Sequence, residues 1–363
     1  MVKIHKMDKG VSNWLFIGVV LVFFQVVIGG VTRLTDSGLS ITDWAIIQGT
    51  IPPLNETEWN IAFEEYKTHA SKQYLSLHAD MSVKEFKVIY FWEYFHRLWA
   101  RMMGFVFLFP FIYFLIKKRL SKQIIRRLGV VIFLAMCAAT FGWIMVDSGL
   151  NDDNRTWVSA YKLIIHLGIA TTLIGYLFRT YLLSKQESIK DLGFFHSLSS
   201  SNNIRELKLG RIILLVLFVQ ILFGGLMAGM RAGLVHPHFP FFVQFDKLLY
   251  SLNAGQLSGS TVLDYEPNLQ IKGIVQVVHR LFAYLLVIIS AVFFLQMRRI
   301  NALSKPAVFY FSILGLQFLL GILTVINSIG KIPVLYGAAH QAVALVLLLS
   351  LIRLNHNFLV LNK

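Results

Sequence analysis

Apolar residues run along this chain in blocks of about 20, the length a helix needs to cross the hydrocarbon core of a bilayer. Short polar stretches separate the blocks. The pattern predicts eight membrane-spanning helices, near residues 13–32, 96–116, 126–147, 158–183, 210–230, 272–296, 306–328 and 334–355. Inside a bilayer every backbone amide must find its partner within the protein, which continuous helices provide. The polar stretches alternate in character. Lys117, Lys118, Arg119, Lys122, Arg126 and Arg127 crowd one of them. Lys185, Lys190, Arg205, Lys208 and Arg211 mark another, and Arg298 and Arg299 a third. Basic residues of this kind stay on the cytoplasmic side. Lys3, Lys6 and Lys9 place the amino terminus there too, and eight crossings return the carboxy terminus to it. The outer stretches are then 33–95, 148–157, 231–271 and 329–333, the first carrying Asp36, Asp43, Glu56, Glu58, Glu64 and Glu65. The first apolar block is read as a span, because it is full length and lacks the small-residue site of a cleaved signal peptide.

Composition agrees. The chain has 363 residues, 56% hydrophobic and 15% charged, against roughly 25% charged in soluble domains. The net charge of +15 would suit nucleic acid if it formed one patch. It is distributed over inner loops, so no nucleic-acid partner is expected and the surrounding partner is membrane lipid. Cys137 is the sole cysteine, which excludes an intramolecular disulfide and a cysteine metal cluster.

The chain repeats itself. FFQVVIGGVTRL around Gln25, Gly29 and Gly30 is matched by LFVQILFGGLMAGMR around Gln220, Gly224 and Gly225. EYFHRLWARMMG is matched by QVVHRLFAYLL, Gly142 by Gly321, and KLIIHLGIA by YGAAHQAVA. The expected fold is an all-α integral membrane protein whose eight transmembrane helices form two pseudo-symmetric four-helix bundles, packed through small residues such as the Gly-Gly pairs. The halves are residues 1–183 and 210–363, joined by a cytoplasmic linker at 184–209.

His96, His166, His279 and His340 fall in the first part of even-numbered spans, which run from outside to inside, so all four are expected toward the outer face. Ionisable residues within a membrane are costly and tend to be functional. One such histidine could simply bond a neighbouring helix. Two per half, on two helices, at matched depth, point to bound metal or heme. Zinc and copper use histidine, but no cysteine or chelating spacing accompanies these four. Paired imidazoles across an apolar bundle suit the two axial positions of heme iron, with His96 paired to His166 and His279 to His340. His69, His78, His236 and His238, in outer loops, are read as solvated rather than ligating.

The halves differ three residues before the first histidine, where Glu93 corresponds to Gln276. Residues three apart share a helix face, so Glu93 is expected to face what His96 binds, as a general base or charge stabiliser. Its alternative is an interfacial pair with Arg97 or Lys162. Arg97 and Arg280 suit heme propionates or snorkelling to the interface.

At these residues the chain resembles the heme A synthase family, in the branch found in mitochondria and related bacteria. The likeness runs through GGVTRLTDSGLSITDW (Gly29 to Trp44), EYFHR, GWIMVDSGL, KLIIHLGIA, GGLMAGMRAG, VVHRLFAY and AAHQAVA. It implies a bacterial inner-membrane oxidoreductase that oxidises a methyl substituent of heme O to a formyl group, through a hydroxymethyl intermediate, to give heme A for terminal oxidases. It implies a resident heme B on His279 and His340, substrate heme O on His96 and His166, and Glu93 assisting oxidation of the methyl. Arg97, Arg280 and Lys162 are the candidate propionate contacts. Heme O is expected by handover from heme O synthase, the enzyme that farnesylates heme B. The chain departs from the family pattern at HPHFP (His236 to Pro240) and WAIIQG (Trp44 to Gly49), and lacks the outer-loop cysteine pairs of another branch. The rival reading is a bis-histidine diheme b-type cytochrome that only transfers electrons.

Overall fold

The computed structural model describes residues 8–43, 48–150, 155–189, 204–240 and 259–361. Among them the protein is all-helical, and eight helices are long and apolar enough to cross a membrane. The crossings are α1 (Lys9–Leu34), α4 (Val83–Ile116), α5 (Lys122–Leu150), α6 (Ala160–Ile189), α7 (Ile204–Gly229), α9 (Leu269–Arg298), α10 (Asn301–Ile326) and α11 (Val334–Leu361). The outer stretches add α2 (Glu56–His69), α3 (Ser71–Leu77) and the short α8 (Gly259–Leu263).

Local chemistry sets several ends. The Asp8 side chain caps α1 by accepting from the Gly10 amide at 2.8 Å, and pairs with Arg119 at 2.7 Å. That ion pair holds the start of α1 against the α4–α5 connection, on one side of the helical array. Ser82 and Glu85 form a reciprocal capping box at the start of α4, the arrangement that satisfies two orphan amides at once. α4 therefore begins well before the apolar block near residue 96. Much of stretch 33–95, expected as loop, is helix. Its apolar residues Leu39, Phe63, Tyr66, Phe86 and Ile89 bury together with Val158 as a small outer cap. The expected linker 184–209 also shrinks, since α6 runs to Ile189 and α7 starts at Ile204; residues 190–203 lie outside those described.

α1, α6, α7 and α11 form the inside of the array and pack against one another. α4, α5, α9 and α10 stand outside them, each packed on its inner neighbour. On α1 the buried residues Val11, Leu15, Val19, Val22 and Val26 recur at three- and four-residue steps, a single stripe of one helix face. One continuous apolar core joins them to Leu173 and Leu177 of α6, Leu217 of α7 and Leu351 of α11. The arrangement is compatible with two four-helix groups sharing that core. The Gly-Gly pairs do double service. A side chain at Gly29 or Gly224 would meet His96 or His279, and one at Gly30 or Gly225 would meet Gln341 of α11 or Ile164 and Leu167 of α6.

Candidate functional site: four histidine seats

Each membrane histidine sits on an even-numbered crossing and leans on a glycine of the crossing before it. A methyl group placed on Gly29 would stand 2.9 Å from His96 Nε2, and one on Gly142 3.1 Å from His166 Cε1. On Gly224 it would stand 3.5 Å from His279 Cε1, and on Gly321 3.0 Å from His340 Cε1. At Gly29, Gly142 and Gly321 an added Cβ would crowd the imidazole, whereas at Gly224 it would make only ordinary contact. His96 and His166 are near enough to interact electrostatically, as are His279 and His340. The structure thus brings together the pairs expected from sequence.

One helical turn before each glycine stands a second element of the seat: Gln25, Ala138, Gln220 or Gln317. His166 Nδ1 meets the Ala138 carbonyl at 2.9 Å, and His340 Nδ1 the Gln317 carbonyl at 3.1 Å. A carbonyl only accepts, so both rings donate from Nδ1; Nε2 then carries the lone pair, which in His340 faces the Gln317 amide nitrogen at 3.2 Å. This is the usual orientation device of a metal-bound imidazole. In the other two seats the glutamine amides donate to the histidine's own carbonyl, Gln25 to His96 at 3.3 Å and Gln220 to His279 at 3.0 Å. The His279 Nδ1 atom and the amide oxygens of Gln25, Gln220 and Gln317 are buried without hydrogen-bond partners. Unsatisfied polar atoms in this setting are costly and mark places where a further group belongs. Among the described residues no three His, Cys, Asp or Glu side chains gather, which disfavours a chelated zinc or copper. Two imidazole pairs within an apolar bundle, each with one ring held by a backbone carbonyl, suit the ligation of heme iron.

Above the seats the two halves differ. Glu93 is 3% exposed. Its Oε1 accepts from Arg97 Nη2 at 2.6 Å, and its Oε2 from Ser40 Oγ at 2.8 Å and the Ile41 amide at 3.0 Å. Arg97 also donates to the carbonyls of Ile41 and Asp43, each at 2.8 Å. Carboxylate and guanidinium together clasp the loop after α1 onto α4. Gln276 and Arg280 clasp the loop after α7 in the same way. Gln276 donates to the His236 carbonyl at 2.9 Å and accepts from the His236 amide at 3.1 Å. Arg280 donates to the carbonyls of His236 and His238 at 2.9 and 2.8 Å. Both arginines, candidate propionate contacts by sequence, hold loop backbone here. Lys162 reaches the Ile144 carbonyl at 3.5 Å rather than Glu93. His236, expected to be solvated, is half-buried; burial and the neighbouring Arg280 and His238 lower its pKa. His238 is exposed. Trp44 and the residues to Ile47 lie outside those described.

Sequence reasoning missed the loop partners Ser40 and Ile41, and also a cluster between the halves. Arg231 binds Asp36, packs over the Trp157 ring at 4.4 Å, and stands beside Arg33, which donates to the Gly229 carbonyl at 2.8 Å. Asp36 and Arg231 follow the two Gly-Gly motifs at equal spacing, and both adopt left-handed backbone, with φ of 57° and 53°. The repeat itself was the signal that could have found them.

A family model described as cytochrome oxidase assembly protein, COX15-CtaA, matches residues 12–352. A protein of Flavobacterium johnsoniae named heme A synthase is 36% identical over 351 residues, covering 94% of this chain and 96% of the relative. One so named from Nitrosospira multiformis is 36% identical over 360 residues, covering 96% and 93%. One from Bradyrhizobium diazoefficiens is 34% identical over 347 residues, covering 94% and 89%.

Proposed function

This chain belongs to the COX15-CtaA family of cytochrome oxidase assembly proteins, and from that premise we propose that it is a heme A synthase, oxidising a methyl substituent of heme O to the formyl group of heme A. The observation that carries the reading is the pair of histidine seats repeated in both halves, with only the first pair accompanied by an acid. The same name on relatives matched over nearly their whole length supports it, and does not favour a cytochrome confined to electron transfer.

The division of labour follows from the asymmetry. His96 and His166 hold substrate heme O in the half formed by residues 1–183, and His279 and His340 hold heme B in the half formed by 210–363. Held there, heme B would relay electrons from the substrate site to an acceptor outside the chain. The protein's own residues do the rest. Gly29 and Gly142 let both substrate-side imidazoles approach, and the Ala138 carbonyl fixes the His166 ring, so that the porphyrin edge is presented in one orientation. Holding a reactant in a productive geometry supplies a large part of a rate enhancement. Glu93, locked by Arg97, Ser40 and Ile41, places a fixed carboxylate beside the outer end of that site, where it stabilises positive charge developing on the methyl carbon or accepts its proton. Two successive two-electron oxidations, each adding a hydroxyl from water and releasing two protons and two electrons to an acceptor outside the chain, pass through the hydroxymethyl compound to a geminal diol, and loss of water leaves the aldehyde. Both sites lie toward the outer face of the inner membrane, with both termini in the cytoplasm, and heme O synthase is the source of substrate.

The test is chromatography of extracted hemes after co-expression with a heme O source. His279→Ala or His340→Ala should remove the low-spin heme B spectrum. His96→Ala or His166→Ala should keep that spectrum and accumulate heme O. Glu93→Ala should accumulate heme O or the alcohol. Normal heme A yield in the Glu93 variant removes that residue from the chemistry, and normal yield in all five variants removes the function.

A further inference from the structure

The outer helices of the two halves close differently. In the second half α9 and α10 pack on each other, through three side-chain contacts along their length. Phe294 stacks on Phe311 at 4.7 Å between ring centroids. Ser290 shares a 2.6 Å hydrogen bond with Tyr310. Tyr284 meets Phe318 at 6.0 Å. In the first half the matching helices α4 and α5, although joined by only the short turn at 117–121, are not packed against each other. Aligning the halves on their histidines and glycines shows why. Opposite Phe111 stands Ile132 in place of Phe311. Phe107 replaces Ser290 and stacks on Trp14 of α1 at 4.8 Å, and Val131 replaces Tyr310. Arg101 and Ala139 replace Tyr284 and Phe318, and Ala139 is exposed. Gly104 stands where the second half has Val287, a residue packed against the core; a side chain at Gly104 would meet nothing within 4 Å. Ala138 likewise stands where Gln317 reaches over to His340. Of the three side-chain contacts that fasten α9 to α10, only Phe111 keeps its ring, and it has lost its aromatic partner; the other two have no counterpart between α4 and α5. Pro110 interrupts the hydrogen-bond ladder of α4 near its inner end, and an internal proline bends a helix.

We propose that the seam between α4 and α5 is a lateral doorway through which heme O, drawn in by its farnesyl tail, passes from the bilayer to the His96–His166 site. The proposal rests on reading that site as the substrate site. A substrate must enter and leave in every cycle, whereas a resident cofactor does not, and only the half assigned to substrate has the open seam. Its borders are apolar and face outward, with Phe105 and Phe109 on α4 and Phe133 and Met136 on α5 exposed. The uncharged isoprenoid tail can slide along such a path without leaving hydrocarbon, while the propionates stay toward the outer surface. The tail remains in the seam while the ring is bound, which makes the doorway part of the specificity for a farnesylated heme.

Plugging the seam tests this. Gly104→Trp and Ala139→Trp place bulk in open space, so the fold is not threatened. Heme O is supplied in phosphatidylcholine vesicles to purified protein carrying its heme B, and uptake is followed by rapid-mixing spectroscopy. Uptake is expected to slow at least about tenfold, which is ~1.4 kcal/mol in barrier height, with the heme B spectrum unchanged and normal conversion once the site has been loaded by long incubation. Normal uptake in both plugged variants overturns the doorway. Should either plug disturb the heme B spectrum, the same question is put to Cys137→Ser/Gly104→Cys/Ala139→Cys protein carrying a cleavable cross-linker. Uptake lost on cross-linking and regained on cleavage supports the doorway, and undiminished uptake overturns it. A wild-type protein that makes no heme A sinks the functional reading instead, independently of the variants.

Discussion

A single methyl group distinguishes the four histidine seats. Because a Cβ at position 321 would lie 3.0 Å from His340 Cε1, Gly321→Ala must push the ring off its bond to the Gln317 carbonyl or part α10 from α11. Overpacking of this kind costs about 1–3 kcal/mol. We expect the variant to lose or shift the low-spin heme B absorption in purified protein. Gly29→Ala, at 2.9 Å from His96 Nε2, should leave that absorption intact and weaken uptake of heme O. If both variants keep both properties, the glycines are only helix-packing residues. The histidines and glycines were legible from sequence because ionisable and small residues recurring at matched positions stand out within apolar blocks. Gln25 and Gln220 were visible as part of the same repeat. The engagement of Arg97 and Arg280 was not legible. Their partners are backbone carbonyls of loops, and any sequence supplies those.

The helices themselves were legible as eight apolar blocks, but not their outer ends. Hydropathy reports where hydrocarbon stops, not where hydrogen bonding stops. α4 continues outward because Phe86, Ile89 and Glu93 keep one buried face and Ser82 with Glu85 caps it, a signature present in the sequence but overlooked beside the apolar block. That extension supports the outer cap of α2 and α3, and the cap carries a titration of its own. His78 Nδ1 lies 2.6 Å from the Tyr66 hydroxyl, which also donates to Gln73 at 3.1 Å. Burial lowers the His78 pKa below its ordinary 6.5; Arg231 reinforces this and Asp36 opposes it. Burial and the charges of Asp36 and Glu93 raise the Tyr66 hydroxyl. With the folded imidazole pKa depressed, the unfolded cap binds more protons in the window between the two values. The contribution to stability is therefore complete above pH 6.5 and is lost as pH falls through that window. Amide protection factors in residues 56–80, corrected for the intrinsic pH dependence of exchange, should fall below that pH, and His78→Gln should flatten the dependence. Exchange that is as pH-insensitive in the wild type as in the variant would remove His78 from the cap's stability.

At the scale of the whole molecule, the repeat makes two similar halves and one shared core, so the contacts between halves decide whether two sites act as one enzyme. One ion pair of that junction is Asp36 against Arg231, residues at equivalent positions that meet across it and are half-buried. A pair of equivalent positions carrying opposite charges cannot arise from a strictly symmetric dimer of one half. It requires that the two halves differ in sequence at this position, as they do in this chain. Breaking it should cost between the ~1 kcal/mol of an exposed pair and the ~3–5 kcal/mol of a buried one. Asp36→Arg leaves three arginines together with Arg33, and Arg231→Asp sets two carboxylates face to face. Each should lower the thermal midpoint of the detergent-solubilised protein and slow heme A formation. Each should do so without changing the heme B spectrum, because neither residue belongs to a histidine seat. The double exchange Asp36→Arg/Arg231→Asp restores opposite charges at the same two positions and should recover most of both losses. Additive damage in the double variant would mean that the two side chains act separately, and the register of the halves would then rest on the apolar core, the Gly30 and Gly225 contacts and the other hydrogen bonds across the junction.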